Sequence, residues 1–345
     1  LAKNTTASNN TAVGNYSLGL NTTGASNTAV GSYSLDASTT AEANTAVGRS
    51  ALGANTTGSY LTAVGFEALK SNTTVSYNTA VGYLASQLST TGTGNTSVGG
   101  FAFQYNTTGD SNTAIGYAAL DANTTADGNT AVGRSALGSS TTGTKGVAVG
   151  AYTLDHNTTG NNNTGLGWAA LSDNTTGASN TAVGYNALFG TTTGGSNTAV
   201  GDTSGDAIST GAGNTAVGMG SLSVATTVDG NTAMGHNALG LATGASNTAI
   251  GSHALQDATA SNLVAVGNYA LAQNTSGTDN VAMGNQAMDA NTTGIKNTAI
   301  GNGTLGQNTT ASDNTGVGYL ALTANTTGIR NVALGSIAGQ DLTTG

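Results

Sequence analysis

A Val, Ile, Leu or Met followed by Gly recurs twenty times along the chain, from Val13-Gly14 to Leu334-Gly335. These glycines lie 17 residues apart, except for two steps of 16, from Gly235 to Gly251 and from Gly251 to Gly267. Counted from the repeat Gly, the residue two before is Ala in 17 units, with Ser97, Gly165 and Gly316 departing. The residue three before is Thr in 16 and Val in four, and the residue four before is Asn in 17. A small residue follows at three after in every unit, and Leu, Phe or Met at four after in 17, with Ser86, Gly205 and Gly339 departing. The unit therefore reads N-T-A-V-G-x-x-A-L-x-x-N-T-T-G-x-x.

This period is too short for a two-helix repeat, and β-branched residues with Gly in every unit disfavour helix. It matches one coil of an all-β fold, a parallel β-solenoid or β-roll. T-A-V predicts a short strand ending at a Gly turn. Residues two apart in a strand share a face. Thr exchanges only with Val, so Thr and Val are expected to point inward. Ala faces the other way but stays small and apolar, which predicts a strand buried on both faces and places Val183 and Leu188 in the core. A second straight piece contains A-L. N-T-T-G returns the chain, because Asn, Thr and Gly favour turns. In the shorter unit ending at Gly251 that stretch reads L-A-T-G-A-S, so the deletion falls in the turn and spares the strand. The repeat Gly is expected at positive φ or in a crowded turn. Twenty coils stacked ~4.8 Å apart predict one array over residues 1–345, a rod on the order of 95 Å long without a capping domain. The Asn four before the Gly is expected to form a ladder of side-chain amides.

One Val-sized and one Leu-sized core residue per 17 ordered residues is a thin core. Extra burial from partner chains is therefore expected, and the small Ala face suits close approach of another chain. The expected state is a homo-oligomer, a parallel trimer first and a higher filament second.

At N-T-A-V-G and its copies the chain resembles the YadA-like head repeats of trimeric autotransporter adhesins, whose core is V-A-I-G. Val264-Ala265-Val266-Gly267 and Val281-Ala282-Met283-Gly284 are the nearest matches. With A-L and N-T-T-G included, the unit also resembles repeats of bacteriophage tail fibres. The resemblance covers essentially the whole chain. The adhesin coil is shorter, so two or three extra residues sit in a turn here. The resemblance implies a left-handed roll, a trimer, and an extracellular fibre at a cell surface or virion that attaches to other surfaces without catalysis.

Composition narrows the function classes. Charged residues are 7% of the chain, against roughly 25% in an ordinary globular protein. Seven Lys and Arg in 345 residues, with a net charge of −9, provide no basic surface for nucleic acid and little attraction to anionic membrane. Without Cys there is no disulfide scaffold and no thiolate metal site. No apolar run approaches a membrane span. No initiating Met, charged n-region or apolar h-region is present, so no signal peptide is visible; the chain starts and stops in the middle of the pattern and is expected to be an excerpt from, or a processed form of, something longer.

Candidate chemistry is sparse. His156, His236 and His253 occupy different repeat positions without a nucleophile and carboxylate set beside them, so they are expected as solvated turn residues, and no enzyme is expected. The 14 Asp are scattered without a calcium-roll motif, and no metal or cofactor is expected. Eleven of sixteen aromatics fall one or two residues after the repeat Gly: Tyr16, Tyr33, Phe66, Tyr83, Phe101, Tyr117, Tyr152, Trp168, Tyr185, Tyr269 and Tyr319. Stacking places them along one edge, either as a contact stripe for a glycan or host surface or as cover for the turn or packing between chains. Asn-Thr-Thr begins at Asn4, Asn21, Asn55, Asn72, Asn106, Asn123, Asn157, Asn174, Asn291, Asn308 and Asn325. Each is formally a glycan acceptor, or a turn motif copied by repetition. A structural fibre segment is the first functional expectation, a self-assembling filament subunit the second. An ice-binding solenoid is the third, with an inward Thr counting against it.

Overall fold

Every repeat forms one strand of three residues at its T-A-V segment. The computed structural model describes residues 2–344, in two compact units that meet in sequence between Thr176 and Gly177. The first unit holds ten strands, β1 (Thr11–Val13) to β10 (Thr164–Leu166), and the second holds ten more, β11 (Thr181–Val183) to β20 (Val332–Leu334). Within each unit every strand pairs in parallel with its sequence neighbour, Thr on Thr and Ala on Ala. Each unit is thus a parallel β-solenoid with one strand per turn. The 16-residue turns keep this register, Thr232 opposite Thr248 and Thr248 opposite Val264, as expected for deletions confined to the return turn.

The strand faces are reversed from the sequence expectation. Ala points inward and is fully buried, as at Ala29, Ala46 and Ala182. Thr and Val point outward: Val183 is only half-buried, whereas Leu188 is at 0% exposure. Exposure of the outward aliphatic residue reaches 39% at Ile115 and 47% at Leu166. The reason is volume. The lumen of a typical turn already holds a Leu, a small residue just before it and up to two Asn, so only a methyl group fits on the inner side of the strand.

The A-L segment is also not straight. Residues two and four after the repeat Gly sit in the left-handed region, for example Tyr33 (φ 59), Leu35 (φ 48), Asn186 (φ 52) and Leu188 (φ 51). Leu in that region costs roughly 1–2 kcal/mol. Full burial of the side chain contributes about 1.5–3 kcal/mol in return. The Leu35 N–H also donates to the Ala51 carbonyl of the next turn at 3.1 Å, and the Tyr33 N–H to Asn15 of the previous turn at 2.9 Å. Turn-to-turn bonding therefore continues outside the strands.

The repeat Gly meets both expectations at once. Gly184 has φ +139, and a Cβ there would lie 2.4 Å from the Gly201 carbonyl oxygen of the next turn. Only Gly allows both that angle and that approach.

Two Asn columns line the lumen. In the expected one, Asn44 Oδ1 accepts from the Leu61 N–H at 2.9 Å, and Asn44 Nδ2 donates to the Gly58 carbonyl at 2.9 Å. This ladder joins amide to backbone more than amide to amide. The second column is the Asn of N-T-T. Asn55 Nδ2 caps its own turn by donating to the Gly58 carbonyl at 2.9 Å, and Asn72 Nδ2 donates to Asn55 Oδ1 at 3.1 Å. The first Thr of the motif is used too, Thr22 Oγ1 donating to the Thr39 carbonyl at 3.0 Å.

Candidate interaction surfaces

The outward face of the strands is the first surface. Its two columns contain only Thr or Val on one side and only Val, Ile, Leu or Met on the other. None of the 23 charged residues of the chain lies in a strand. Charges border the face instead. Glu42, Asp110, Asp127, Lys145, Asp229 and Lys296 lie five or six residues before a repeat Gly, and Arg49 and Arg134 lie just after one. A chain that keeps charge off two columns through twenty turns holds an apolar stripe in each unit.

The second surface is the aromatic edge. Nine tyrosines and tryptophans make up its sequence-expected set: Tyr16, Tyr33, Tyr83, Tyr117, Tyr152, Trp168, Tyr185, Tyr269 and Tyr319. In the first unit the stripe forms as a column of touching rings. Tyr16 and Tyr33 stack at 5.3 Å and 11°, and Phe66 and Tyr83 at 5.4 Å and 15°. Phe101 meets Tyr83 and Tyr117 edge-on at 5.3 and 5.6 Å, and Tyr152 meets Trp168 edge-on at 6.1 Å. The turns without an aromatic carry Arg in the same column. The Arg49 guanidinium lies 5.7 Å over the Phe66 ring and that of Arg134 lies 5.4 Å over Tyr152. Sequence reasoning missed the two arginines, although their position just after the repeat Gly was the available signal. It also missed a second stack, Tyr60 on Tyr77 at 5.4 Å, beside the strand's other edge.

In the second unit the column is mixed. Tyr185 and Tyr319 are exposed, at 51% and 55%. His236 and His253 contact edge-on at 5.1 Å, and His253 stacks on Tyr269 at 4.7 Å. His253 Nδ1 lies 2.8 Å from Ser252 Oγ. His156 is separate, 3.5 Å from Asp173 and largely exposed. These histidines are turn residues as expected, but two of them pack on each other. Among the described residues no three His, Asp or Glu are grouped to hold a metal ion.

Ten of the eleven Asn-Thr-Thr asparagines, all but Asn4, are buried in the second ladder. Their amides are committed to turn carbonyls and to one another, so the turn-motif reading holds for those ten. The glycan-acceptor reading would require each amide to leave the lumen.

A third column lies five residues after the repeat Gly, beside the aromatic edge. It holds Asp36, Lys70, Gln87, Gln104, Asp121 and Asp155 in the first unit. Burial pushes the carboxyls of Asp36, Asp121 and Asp155 above the ordinary range, and does the same to Asp206 and Asp289 in the second unit. Glu67 is lowered, chiefly by the hydrogen bond from Lys70 at 2.9 Å. Gln87 Nε2 donates to Glu67 Oε2 at 2.6 Å and Gln104 Nε2 to Gln87 Oε1 at 3.0 Å, so these side chains form a polar rail across turns.

Among the described residues no helix is long and apolar enough to cross a membrane. Neither a family model nor a curated protein sequence matches the chain.

Proposed function

We propose that this chain is a structural segment of an extracellular attachment fibre, at a cell surface or on a virion. In this reading three parallel copies pack through their outward strand faces. The observation that carries it is the uncharged T-x-V face, with a branched or unbranched aliphatic side chain half-exposed in nearly every turn. A monomeric surface that long normally carries interspersed charge, and contiguous exposed apolar patches mark association sites. A parallel stack on each copy offers the partner an unchanging strip, so the contact repeats every turn. In this reading the repeats serve as a structural segment, as their resemblance to adhesin heads and tail fibres implies.

The test is sedimentation of the chain and of a Val183→Lys, Val200→Lys variant. Both positions point outward, so the variant keeps its lumen and its β-type circular dichroism. The expected result is three chain masses for the parent and a smaller species for the variant. A parent that stays monomeric at all concentrations overturns the trimer, and open-ended polymers favour the filament subunit.

One observation favours a second reading, ice binding. Strand Thr points outward rather than inward, so hydroxyl and methyl columns share one regular face. A monomeric parent that shows thermal hysteresis supports that reading over the fibre.

A further inference from the structure

We infer that the first unit carries a binding notch for an uncharged sugar residue, formed by Tyr33, Asp36, Ser50, Gly53, Ala54 and Lys70. These residues line an open cavity of about 300 Å³, at the small end of the range for ligand sites. The inference does not depend on assembly through the strand face.

The notch follows from two gaps in the columns. Tyr33 stacks on Tyr16 with one face. The next turn places Ser50, not a second ring, at the equivalent position, and its Arg49 lies over Phe66 on the far side. The other face of Tyr33 therefore fronts the notch. In the adjoining column, Asp36 is followed one turn later by Gly53 and two turns later by Lys70. A Cβ on Gly53 would sit 3.6 Å from Asp36 Oδ1, so any side chain there occupies the space beside the carboxylate. A glycine also precedes Asp36 by one turn, at Gly19. There a neighbouring cavity is lined by Tyr16, Gly19, Lys3 and the other side of Asp36.

The chemistry selects the ligand class. Asp36 accepts hydrogen bonds, Lys70 donates them, and the Ser50 hydroxyl does both. A sugar hydroxyl also both donates and accepts, so one saccharide can satisfy all three. An anion is opposed by Asp36, while Lys70, its ammonium already bonded to Glu67 at 2.9 Å, keeps further N–H donors for a neutral hydroxyl. The apolar C–H face of a pyranose fits the open face of a Tyr ring, which offers large contact area at low entropy cost. An open notch on one turn supports only weak monovalent affinity, with a Kd on the order of 1 mM. A repeated display of such sites raises the effective affinity.

The repeat itself supplies substitutions that fold. Gln87 and Gln104 occupy the position of Gly53, and Ser50 that of Tyr33. Gly53→Gln fills the notch, and Tyr33→Ser removes the platform. The experiment is saturation-transfer NMR on the full chain with lactose, cellobiose and N,N'-diacetylchitobiose at millimolar concentration. Thermal melting of each variant checks the fold. At least one disaccharide is expected to receive saturation, with the transfer cut about tenfold by Gly53→Gln and by Tyr33→Ser, and unchanged by Tyr105→Ser, an exposed tyrosine outside the notch and the aromatic edge. Absence of transfer to all three sugars overturns the inference. So does transfer that survives both notch variants in a folded protein. Sedimentation of Gly53→Gln should match the parent, which separates failure of the notch from failure of the trimer.

Discussion

At the residue scale, the departures from the repeat are coordinated. All three exceptions to the inward Ala have a partner exception. Ser97 replaces Ala where Ser86 replaces Leu, and the two buried hydroxyls bond at 2.8 Å. Gly165 replaces Ala where Thr153 replaces the usual Ala or Ser, and a Cβ at 165 would lie 2.5 Å from Thr153 Cγ2. Gly316 and Thr304 repeat that exchange, at 2.7 Å. Likewise Gly205 leaves a gap in the Leu column, and Ile208, standing where most turns have the second Asn, points into it: a Cβ at 205 would lie 3.1 Å from Ile208 Cδ1. The lumen thus conserves volume turn by turn, as close packing requires. Gly165→Ala alone should overpack the lumen and lower stability by about 1–3 kcal/mol. The Thr153→Ala, Gly165→Ala double variant should recover most of that loss, since it rebuilds the common turn. Denaturant melts of the two single variants and the double one give the coupling; simple additivity would contradict the packing account.

At the element scale, the second Asn ladder decides how tightly turns are tied. In the first unit it runs in pairs. Asn55 and Asn72 are joined at 3.1 Å, as are Asn106 and Asn123, but Ser38, Ser89 and Ser140 interrupt them. Each Ser is too short to bridge, and Asn72 Oδ1, Asn123 Oδ1 and the hydroxyls of Ser89 and Ser140 are buried without a hydrogen bond. In the second unit Asn274, Asn291 and Asn308 run on without a break, at 2.7 and 2.9 Å. Ser89→Asn should therefore extend the ladder from Asn72 to Asn106 and stabilise by about 1 kcal/mol per bond completed. A higher melting temperature checks it, and an unchanged or lower one counts against the ladder as a stabilising device. The strand, the Gly turn and the return turn were legible in the sequence because each depends on local backbone preference. Which side of T-A-V faces inward was not. Thr exchanging with Val suits an outward half-exposed position as well as a buried one, and only the filled lumen, with Leu188 and two Asn already in it, resolves the choice. The A-L segment was misread because Leu at positive φ contradicts its local preference and is stabilised only by turn-to-turn bonds. The aromatic edge was legible from its spacing, whereas the Tyr33 notch depends on gaps in two columns at once.

At the scale of the whole molecule, the few charges have a common consequence for pH dependence. Asp36, Asp121, Asp155, Asp206 and Asp289 all have carboxyls raised by burial, in the same column of different turns. A raised carboxyl binds its proton more tightly in the folded state than in the unfolded one. Between the unfolded and folded values the native state then holds more protons, so stability falls as pH rises through that window. The destabilisation is absent below the ordinary carboxylate range and complete above the raised values. Glu67, lowered by Lys70, acts in the opposite sense: its contribution is present above the ordinary range and lost as pH falls. Five groups oppose one. Titrating carboxylates also reduces the net charge of −9, relieving self-repulsion in the same direction. The chain should therefore melt at a higher temperature in the upper part of the carboxylate range than at neutral pH, the reverse of ordinary acid lability. Asp121→Asn with Asp155→Asn should raise the neutral-pH melting temperature and flatten the profile, because the amides have no charge to desolvate. Melting curves across mildly acidic and neutral buffers measure both effects. A monotonic loss of stability on acidification, unchanged in the double variant, would show that Glu67 and the exposed acids outweigh the buried column.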